Sequence, residues 1–323
     1  MFKEELLALG KIFDSAINRQ NDNQFVDRLL IARENALPLN GNFSLTAVNE
    51  RFETLADLLN PENIDLLEKQ ITPANPALRI AVIASDQVPA HCFKTVAALI
   101  FAGNTAVVKL SDRDSVLPVT IFNILFDLNL AIKNYIIIDK TDNNFDAIIV
   151  ENHTGKLLKT LARKFKGIYR APKKKCVAII SGNESDKELK LLADDIFYCN
   201  MLGDSAVKKL YIKENFDLNR LFANMLHKVY VAENRKYADG YTFNRAVWLM
   251  NGDKFLENNF VLLKEDNNII APQGAIFYQY YKNLSLSSIP REEVSSIETK
   301  ENFGCSRRDS FIDNNYSNLL NEF

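Results

Sequence analysis

Glycine is scarce in this chain, with 11 residues among 323, about half the usual share. Loops that cradle phosphate groups use glycine because its missing side chain lets the backbone approach a ligand closely. The composition therefore limits how many such loops the chain can build. Histidine is also rare, with three residues, and the four cysteines form no CxxC pair. This pattern predicts that the chain has no structural metal site.

The chain also lacks long apolar runs and a strong excess of either charge. No stretch of about 18 apolar residues is present, so no membrane-spanning helix is predicted. The formal net charge is -2 and the isoelectric point about 6.0, and no basic face suited to nucleic acid is evident. Hydrophobic residues make up 47%, and the N-terminus has no signal-peptide pattern. Together these features predict a soluble, cytoplasmic protein.

The first 70 residues show helical periodicity. Apolar residues recur with i, i+3, i+4 spacing in EELLALGKIFDSAI, FVDRLLIARENA and SLTAVNERFETLADLL. Ser44 precedes the third stretch and is predicted as its N-cap. We expect residues 1–75 to form a helical region packed on the domain that follows.

After Pro76, short apolar stretches alternate with helical ones. The predicted strands are RIAVIAS (79–85), TAVVKLS (105–111), YIIIDK (135–140), DAIIVE (146–151), VAIISG (177–182), AVKKLYIKE (206–214) and AIFYQYY (275–281). Ser185 and Glu188 form a capping-box pattern at the start of the helix SDKELKLLADDIFYCN. This alternation predicts a mostly parallel, doubly wound sheet with its ligand beyond the carboxyl ends of the strands.

Several stretches resemble one known family. They are AGNTAVVKLSDRD (102–114), VAIISGNESDKELKLLADDIF (177–197), NRKYADGYTFNRAVWLMNGDKFLENNFVLLKED (234–266) and FG at 303–304. In these the chain resembles the acyl-CoA reductases related to the fatty-acid reductase component of bacterial luciferase systems. Those proteins are short members of the aldehyde dehydrogenase superfamily.

The resemblance implies an aldehyde-dehydrogenase-like α/β fold. The implied divisions are a helical region (1–75), a doubly wound cofactor domain (76–182), a smaller α/β catalytic domain (183–284) and a tail that completes the fold (285–323). The implied reaction has two steps: a cysteine thiolate takes the acyl group from a thioester, and NADPH then delivers hydride and releases an aldehyde. Such chemistry needs a reactive thiol, oxyanion donors and a nicotinamide held against the acyl carbon.

Three positions depart from the family pattern. Asp204 stands at the nucleophile position after Leu-Gly, and a carboxylate is a far weaker nucleophile toward a thioester than a thiolate. Gln87, with Asp86 beside it, stands where the family has an oxyanion-donating Asn. The turn after DAIIV begins with Glu151 in place of Gly-Ser. We expect its carboxylate to repel cofactor phosphates or to crowd the nicotinamide.

Other positions leave alternatives open. Lys109 matches the lysine that hydrogen-bonds the adenosine ribose in the superfamily, and Glu265 matches a ribose-binding glutamate; either could instead be a solvated strand-end charge. Cys199, predicted in a helix, is either a core thiol or a replacement nucleophile. His153 follows a strand and is either a general acid–base or a surface histidine.

Two functions are therefore open. In the first, favoured by the three departures, NADPH-dependent reduction of acyl thioesters is lost or impaired. The chain then acts as a binding or scaffold subunit for acyl-CoA, an acyl carrier protein, a catalytic paralogue or a second copy of itself. In the second, it is an active acyl-CoA reductase with another nucleophile, or an acyl-transfer or hydrolytic enzyme with Asp204 as a base.

Overall fold

The computed structural model describes residues 1–18, 23–71, 73–74, 76–151, 168–170, 176–203, 205–283, 289, 294 and 296–304. The first compact unit contains Met1–Lys173, and the second contains Lys174–Arg307. Asp204 and His153 lie outside the described residues. No helix in the described part of the chain is both long and apolar enough to cross a membrane.

Among the described residues, four α-helices precede the first strand. They are α1 (Lys3–Asn18), α2 (Gln24–Ala36), α3 (Leu45–Leu58) and α4 (Pro61–Gln70). The predicted cap of α3 is confirmed, because the Ser44 hydroxyl accepts a hydrogen bond from the Ala47 N–H at 3.1 Å. Phe13 of α1 packs against Phe52 of α3 and against Phe93, with ring centroids 5.4 and 6.3 Å apart. These aromatic contacts join the helical region to Phe93, in the helix that follows the first strand of the same unit.

A five-stranded parallel sheet forms the centre of the first unit. Its strands are β1 (Arg79–Ile83), β2 (Thr105–Lys109), β3 (Ile136–Ile138), β4 (Ala147–Val150) and β5 (Ile168–Arg170), in the order β3-β2-β1-β4-β5. The helices α5 (Phe93–Phe101) and α6 (Val116–Leu128) follow β1 and β2. The strand order reverses between β1 and β4, the point where open α/β sheets bind their ligands. Ser85 and Glu151 follow the two strands at this point.

The first unit departs from the predicted pattern at the start of α5. Proline is typical of the first position of a helix, and Pro89 therefore predicts a helix that begins there, but α5 begins at Phe93 because Ala90 has a left-handed φ of 48°. The helix ends as a glycine-capped helix does, since Gly103 follows it with a left-handed φ of 91°. The residues before α5 therefore form a turn at the carboxyl edge of the sheet.

The second unit contains a six-stranded sheet. Its strands are β6 (Cys176–Ile180), β7 (Val207–Lys213), β8 (Leu256–Glu257), β9 (Leu262–Glu265), β10 (Ala275–Tyr281) and β11 (Ser296–Glu298), in the order β11-β6-β7-β10-β9-β8. The described pairings are parallel except that of β8 with β9. Helices α7 (Asp186–Met201), α8 (Leu218–Met225) and α9 (Arg235–Asn251) pack on it, and a 3₁₀ helix, Leu226–Glu233, joins α8 to α9.

The capping box of α7 is confirmed. The Ser185 hydroxyl accepts from the Glu188 N–H, and the Glu188 carboxylate accepts from the Ser185 N–H at 2.6 Å. Two backbone donors at the helix start are thereby satisfied. The 3₁₀ segment separates α8 from α9, so the residues from Leu218 to Asn251 do not form one continuous α-helix.

Candidate functional site

The crevice between β1 and β4 is filled by a buried carboxylate. Glu151 is only 1% exposed. One of its oxygens accepts from the Thr95 hydroxyl, and the other accepts from the Ser85 N–H at 3.3 Å and lies 3.0 Å from His91 Nδ1. Both oxygens are therefore bonded within the first unit. The carboxylate fixes the turn after β1 to the end of β4.

Asp86 and Gln87 lie in the same turn. The Asp86 carboxylate accepts from the Ser111 hydroxyl at 2.9 Å and lies 3.7 Å from the Arg113 guanidinium. Its backbone carbonyl accepts from the Asn40 amide at 2.7 Å. Arg113 therefore partly offsets the negative charge of Asp86 beside the predicted oxyanion donor Gln87. Gln87 is half-buried, and its backbone N–H donates to the Ser85 hydroxyl. The role of its side-chain amide as an oxyanion donor stays a prediction.

A second buried acid lies next to this turn. Asp114 is 3% exposed, and burial raises its pKa to about 7. The backbone N–H groups of Ala90 and His91 donate to its carboxyl group, but its Oδ1 has no hydrogen-bond partner among the described residues. The neighbouring Cys92 is fully buried, and burial raises the pKa of its thiol well above the usual range. Cys92 is thus a core thiol without thiolate character.

Lys109 ends β2 and holds a loop of its own unit. Its ammonium donates to the backbone carbonyls of Lys140 and Asp142 and lies 5.6 Å from the centroid of the Phe145 ring. The side chain therefore has structural partners in addition to any ligand. The predicted contact with an adenosine ribose stays a prediction.

Glu265 lies in the second unit, at the end of β9, with its side chain exposed. It pairs in register with Tyr278. The pKa of Tyr280 is raised mainly by burial and to a smaller extent by the charge of Glu265. Lys209, at 0% exposure, donates to the Asp266 carbonyl, and burial lowers its pKa to about 8. Sequence patterns did not single out this buried lysine. The role of Glu265 toward a ribose stays a prediction.

The chain before Asp204 forms a left-handed turn. Cys199 falls within the range of α7, as predicted, but the backbone there is not α-helical, because Cys199, Asn200 and Met201 have φ values of 48°, 55° and 65°. Long-range contacts hold this backbone: the Gln273 amide donates to the Asn200 carbonyl at 3.0 Å, and the Lys208 ammonium donates to the Met201 carbonyl. Left-handed conformations of non-glycine residues cost on the order of 1–3 kcal/mol each and are concentrated at functional sites.

Gly203 ends this turn against an aromatic ring. A Cβ at Gly203 would lie 2.2 Å from Cδ1 of Tyr198, so the turn requires glycine at this position. The Gly203 carbonyl then accepts from the Ala206 N–H at 3.0 Å. Cys199 itself is 2% exposed, which fits the core-thiol interpretation. The role of Asp204 at the nucleophile position stays a prediction.

Sequence reasoning missed most of the residues that surround Glu151. The sequence pattern places Thr95 in a helix and Ser85 at the end of a strand, and neither residue belongs to a recognisable motif. Asp114 could have been found, because it follows β2 closely and the carboxyl ends of parallel strands meet at one edge. Within the described ranges, no cluster of three or more His, Cys, Asp or Glu side chains could hold a metal ion.

The fold is that of the aldehyde dehydrogenase structures, with two sheets of mainly parallel strands and a helical N-terminal region. The chain is similar to aldehyde dehydrogenase 21 from Physcomitrella patens, solved with the reaction product succinate. The identity is 11%, the match covers 91% of this chain and 78% of the other, and the TM-score is 0.59.

Two further solved structures are similar over comparable lengths. An acetylating aldehyde dehydrogenase from Geobacillus thermoglucosidasius is 11% identical, with 95% of this chain and 84% of the other covered and a TM-score of 0.58. An NADP-dependent glyceraldehyde-3-phosphate dehydrogenase from Bacillus halodurans, complexed with NADP, is 12% identical over 93% and 78%, with a TM-score of 0.57. No family model matches the chain. No curated protein matches it either.

Proposed function

We propose that this chain binds acyl thioesters on an aldehyde-dehydrogenase fold and has lost most or all of the NADPH-dependent reduction of its acyl-CoA reductase relatives. The observation that carries the proposal is the burial of Glu151 at the reversal of the strand order in the first sheet. We interpret the chain as a binding or scaffold subunit for acyl-CoA or an acyl carrier protein. In this interpretation, the protein that the scaffold subunit binds is a catalytic paralogue of this chain.

The charge at this edge does not fit a dinucleotide. Dinucleotides bind at such an edge through glycine-rich turns and helix N-termini that meet the pyrophosphate. Here the turn after β4 begins with a carboxylate that is bonded to Thr95, Ser85 and His91. A negative charge removed from water in this position repels phosphate more strongly than an exposed one.

The nucleophile position supports the same proposal. The left-handed turn that precedes Asp204 is held by Gln273 and Lys208, as a turn that presents a reacting residue would be. The residue at that point in the sequence is an aspartate, and an acyl-aspartate anhydride would hydrolyse before hydride transfer. The other structures with this fold include an acetylating aldehyde dehydrogenase, which supports an acyl group as the ligand class.

The proposal is tested by NADPH titration and by acyl-CoA turnover. We expect the natural protein to show saturable binding of acyl-CoA, no saturable NADPH fluorescence change and no aldehyde release. Asp204→Cys alone should restore little turnover, whereas Asp204→Cys combined with Glu151→Gly should restore both NADPH binding and measurable reduction. Glu62→Gln removes a charge at an exposed position of α4 and is the matched control. It should leave NADPH binding and acyl-CoA turnover as they are in the natural protein.

Three outcomes would contradict the proposal. NADPH oxidation with matching aldehyde release by the natural protein would make it an active reductase. Release of free acid from acyl-CoA, lost in Asp204→Asn, would make it a hydrolytic enzyme. A natural protein that binds no acyl-CoA across a series of chain lengths would exclude the acyl ligand.

A further inference from the structure

Lys208 lies at the start of β7 and is bonded to the left-handed turn that ends α7. In β6, Cys176 and Val177 pair with the residues before and after Lys208, so the register of the two strands skips Lys208 itself. Bulges of this kind re-aim a side chain and are over-represented next to active sites. The Lys208 ammonium donates to the carbonyl of Met201, which precedes the nucleophile position by three residues in the sequence.

The surroundings of Lys208 favour the neutral amine. The residue is half-buried, and no carboxylate in the described part of the chain pairs with its ammonium. Burial lowers its pKa to about 8, while the Cys176 thiol acts in the opposite direction. Near pH 8 about half of this side chain is therefore neutral, against under about 1% of a lysine in water. A lysine with its pKa lowered by desolvation is an activated nucleophile.

The adjacent Lys209 has a similar pKa but a different position. Burial lowers the pKa of Lys209 to about 8 as well, with Asp266 and Glu265 acting in the opposite direction. Its side chain is 0% exposed, and its ammonium donates to the Asp266 carbonyl. Lys208 retains exposed surface and is bonded to the turn before the nucleophile position, whereas Lys209 has neither property. Position therefore distinguishes the two lysines.

We propose that Lys208 is an acyl acceptor, which takes the acyl group of a bound acyl-CoA and holds it as an Nε-acyl-lysine. The inference rests on the proposed function, because the acyl-CoA that the chain binds is the acyl donor. The neutral amine attacks the thioester carbonyl. A C–N bond forms, the C–S bond breaks, and CoA leaves as a thiol that carries one proton of the amine. The step requires neither a reductant nor an oxidant.

The product suits the site at least as well as the amine does. An acyl-lysine keeps one N–H, so the hydrogen bond to the Met201 carbonyl can be retained. The product has no charge, so the cost of holding an ammonium away from water is removed. An amide also resists hydrolysis far better than an acyl-aspartate anhydride does. The chain would thus hold an acyl group covalently without reducing it.

Peptide mass spectrometry of the natural protein tests the proposal. The full-length protein is incubated with octanoyl-CoA at about pH 8, and the acylated fraction of each lysine is followed over time. We expect Lys208 to be acylated about tenfold faster than Lys236, an exposed lysine of α9, because a far larger fraction of Lys208 is neutral. Lys209 should stay unmodified, because it has no exposed surface. Hydroxylamine should leave the label in place, since it cleaves thioesters and not amides.

Two variants and a separate binding measurement provide the controls. Lys208→Gln keeps an N–H donor for the Met201 carbonyl but removes the amine, so we expect it to lose the fast acylation. Lys236→Gln is the matched control and should leave the acylation of Lys208 unchanged. Binding is measured by titration with an octanoyl-CoA analogue in which a thioether replaces the thioester, so that no acyl group can be transferred. The natural protein and Lys208→Gln should bind this analogue within about twofold of each other, because Gln retains the bond that holds the turn.

The contradicting results separate this inference from the proposed function. Binding of the analogue without faster acylation of Lys208 than of Lys236 would overturn the inference and leave the proposed function standing. Equal acylation of Lys208 and Lys209 would also overturn it, because pKa alone would then account for the reaction. A label that hydroxylamine removes would be a thioester on a cysteine and would exclude Lys208 as the acceptor. Absence of analogue binding would contradict the proposed function and this inference with it.

Discussion

The buried carboxyl group of Asp114 makes the stability of the first unit depend on pH. Asp114 is 3% exposed, and its Oδ1 has no partner among the described residues. Burial raises its pKa from 3.8 to about 7, while His91 and Arg51 act in the opposite direction. The folded chain therefore holds this proton between about pH 4 and pH 7, where the unfolded chain has released it. Because the folded state binds more protons in that window, stability falls as pH rises through it.

The size of the effect follows from the pKa difference. The folded-state pKa lies about three pH units above the ordinary value, and each pH unit corresponds to 1.36 kcal/mol. Ionised Asp114 therefore costs up to about 4 kcal/mol above pH 7, and the cost is absent below about pH 4. Asp114→Asn removes the charge but keeps an oxygen that accepts from the Ala90 or His91 N–H. We expect the variant to gain about 2–4 kcal/mol over the natural protein at pH 8.

Urea denaturation at pH 5 and pH 8 measures this difference. The gain of Asp114→Asn should shrink at pH 5, because about nine-tenths or more of Asp114 is then protonated in the folded protein and the remaining gain comes from the unfolded chain. Asp239→Asn, at an exposed position of α9, is the control and should show no such pH dependence. An equal effect of Asp114→Asn at both pH values would refute the reasoning, because it would mean that the folded protein buries no titrating carboxyl group here.

Two further substitutions test local features of the second unit. Ser185→Ala removes the capping box with Glu188 and should lower the free energy of unfolding by about 1 kcal/mol; an unchanged urea midpoint would contradict the cap. Gly203→Ala places a methyl group against the Tyr198 ring and should cost about 1–3 kcal/mol. Gly240→Ala is its control, since its Cβ would meet only ordinary contacts and alanine favours the helix. If both glycine variants melt alike, the contact with Tyr198 does not restrain the turn.

Local sequence patterns were sufficient for most of the secondary structure. The strands at Arg79–Ile83 and Ala275–Tyr281 are apolar runs that end at turn residues, and both lie where the pattern predicted them. The caps at Ser44 and Ser185 are also local, because a cap bonds to N–H groups within three residues. Such features depend on neighbouring residues alone, so the sequence is enough to place them.

The end of α7 could not be derived in this way. Cys199, Asn200 and Met201 have no preference that would predict three successive left-handed residues. The Asn200 carbonyl accepts from Gln273, which lies 73 residues away, and the Met201 carbonyl accepts from Lys208. A helical pattern carries no information about a donor as distant as Gln273, so it does not predict the left-handed backbone in the last turn of α7.

By itself, the sequence determined the fold class, since alternating strands and helices with the right caps leave few arrangements other than a doubly wound sheet. It also determined that an aspartate, not a cysteine, follows Leu202-Gly203. Only the tertiary structure decided what Glu151 does. The sequence places a charge after a strand, but the burial of that charge depends on Thr95, His91 and Ser85, all more than fifty residues earlier. The carboxyl ends of the parallel strands lie at one edge of the sheet, and this arrangement brings the three residues next to Glu151. Because they surround its side chain, Glu151 is buried although glutamate is usually exposed.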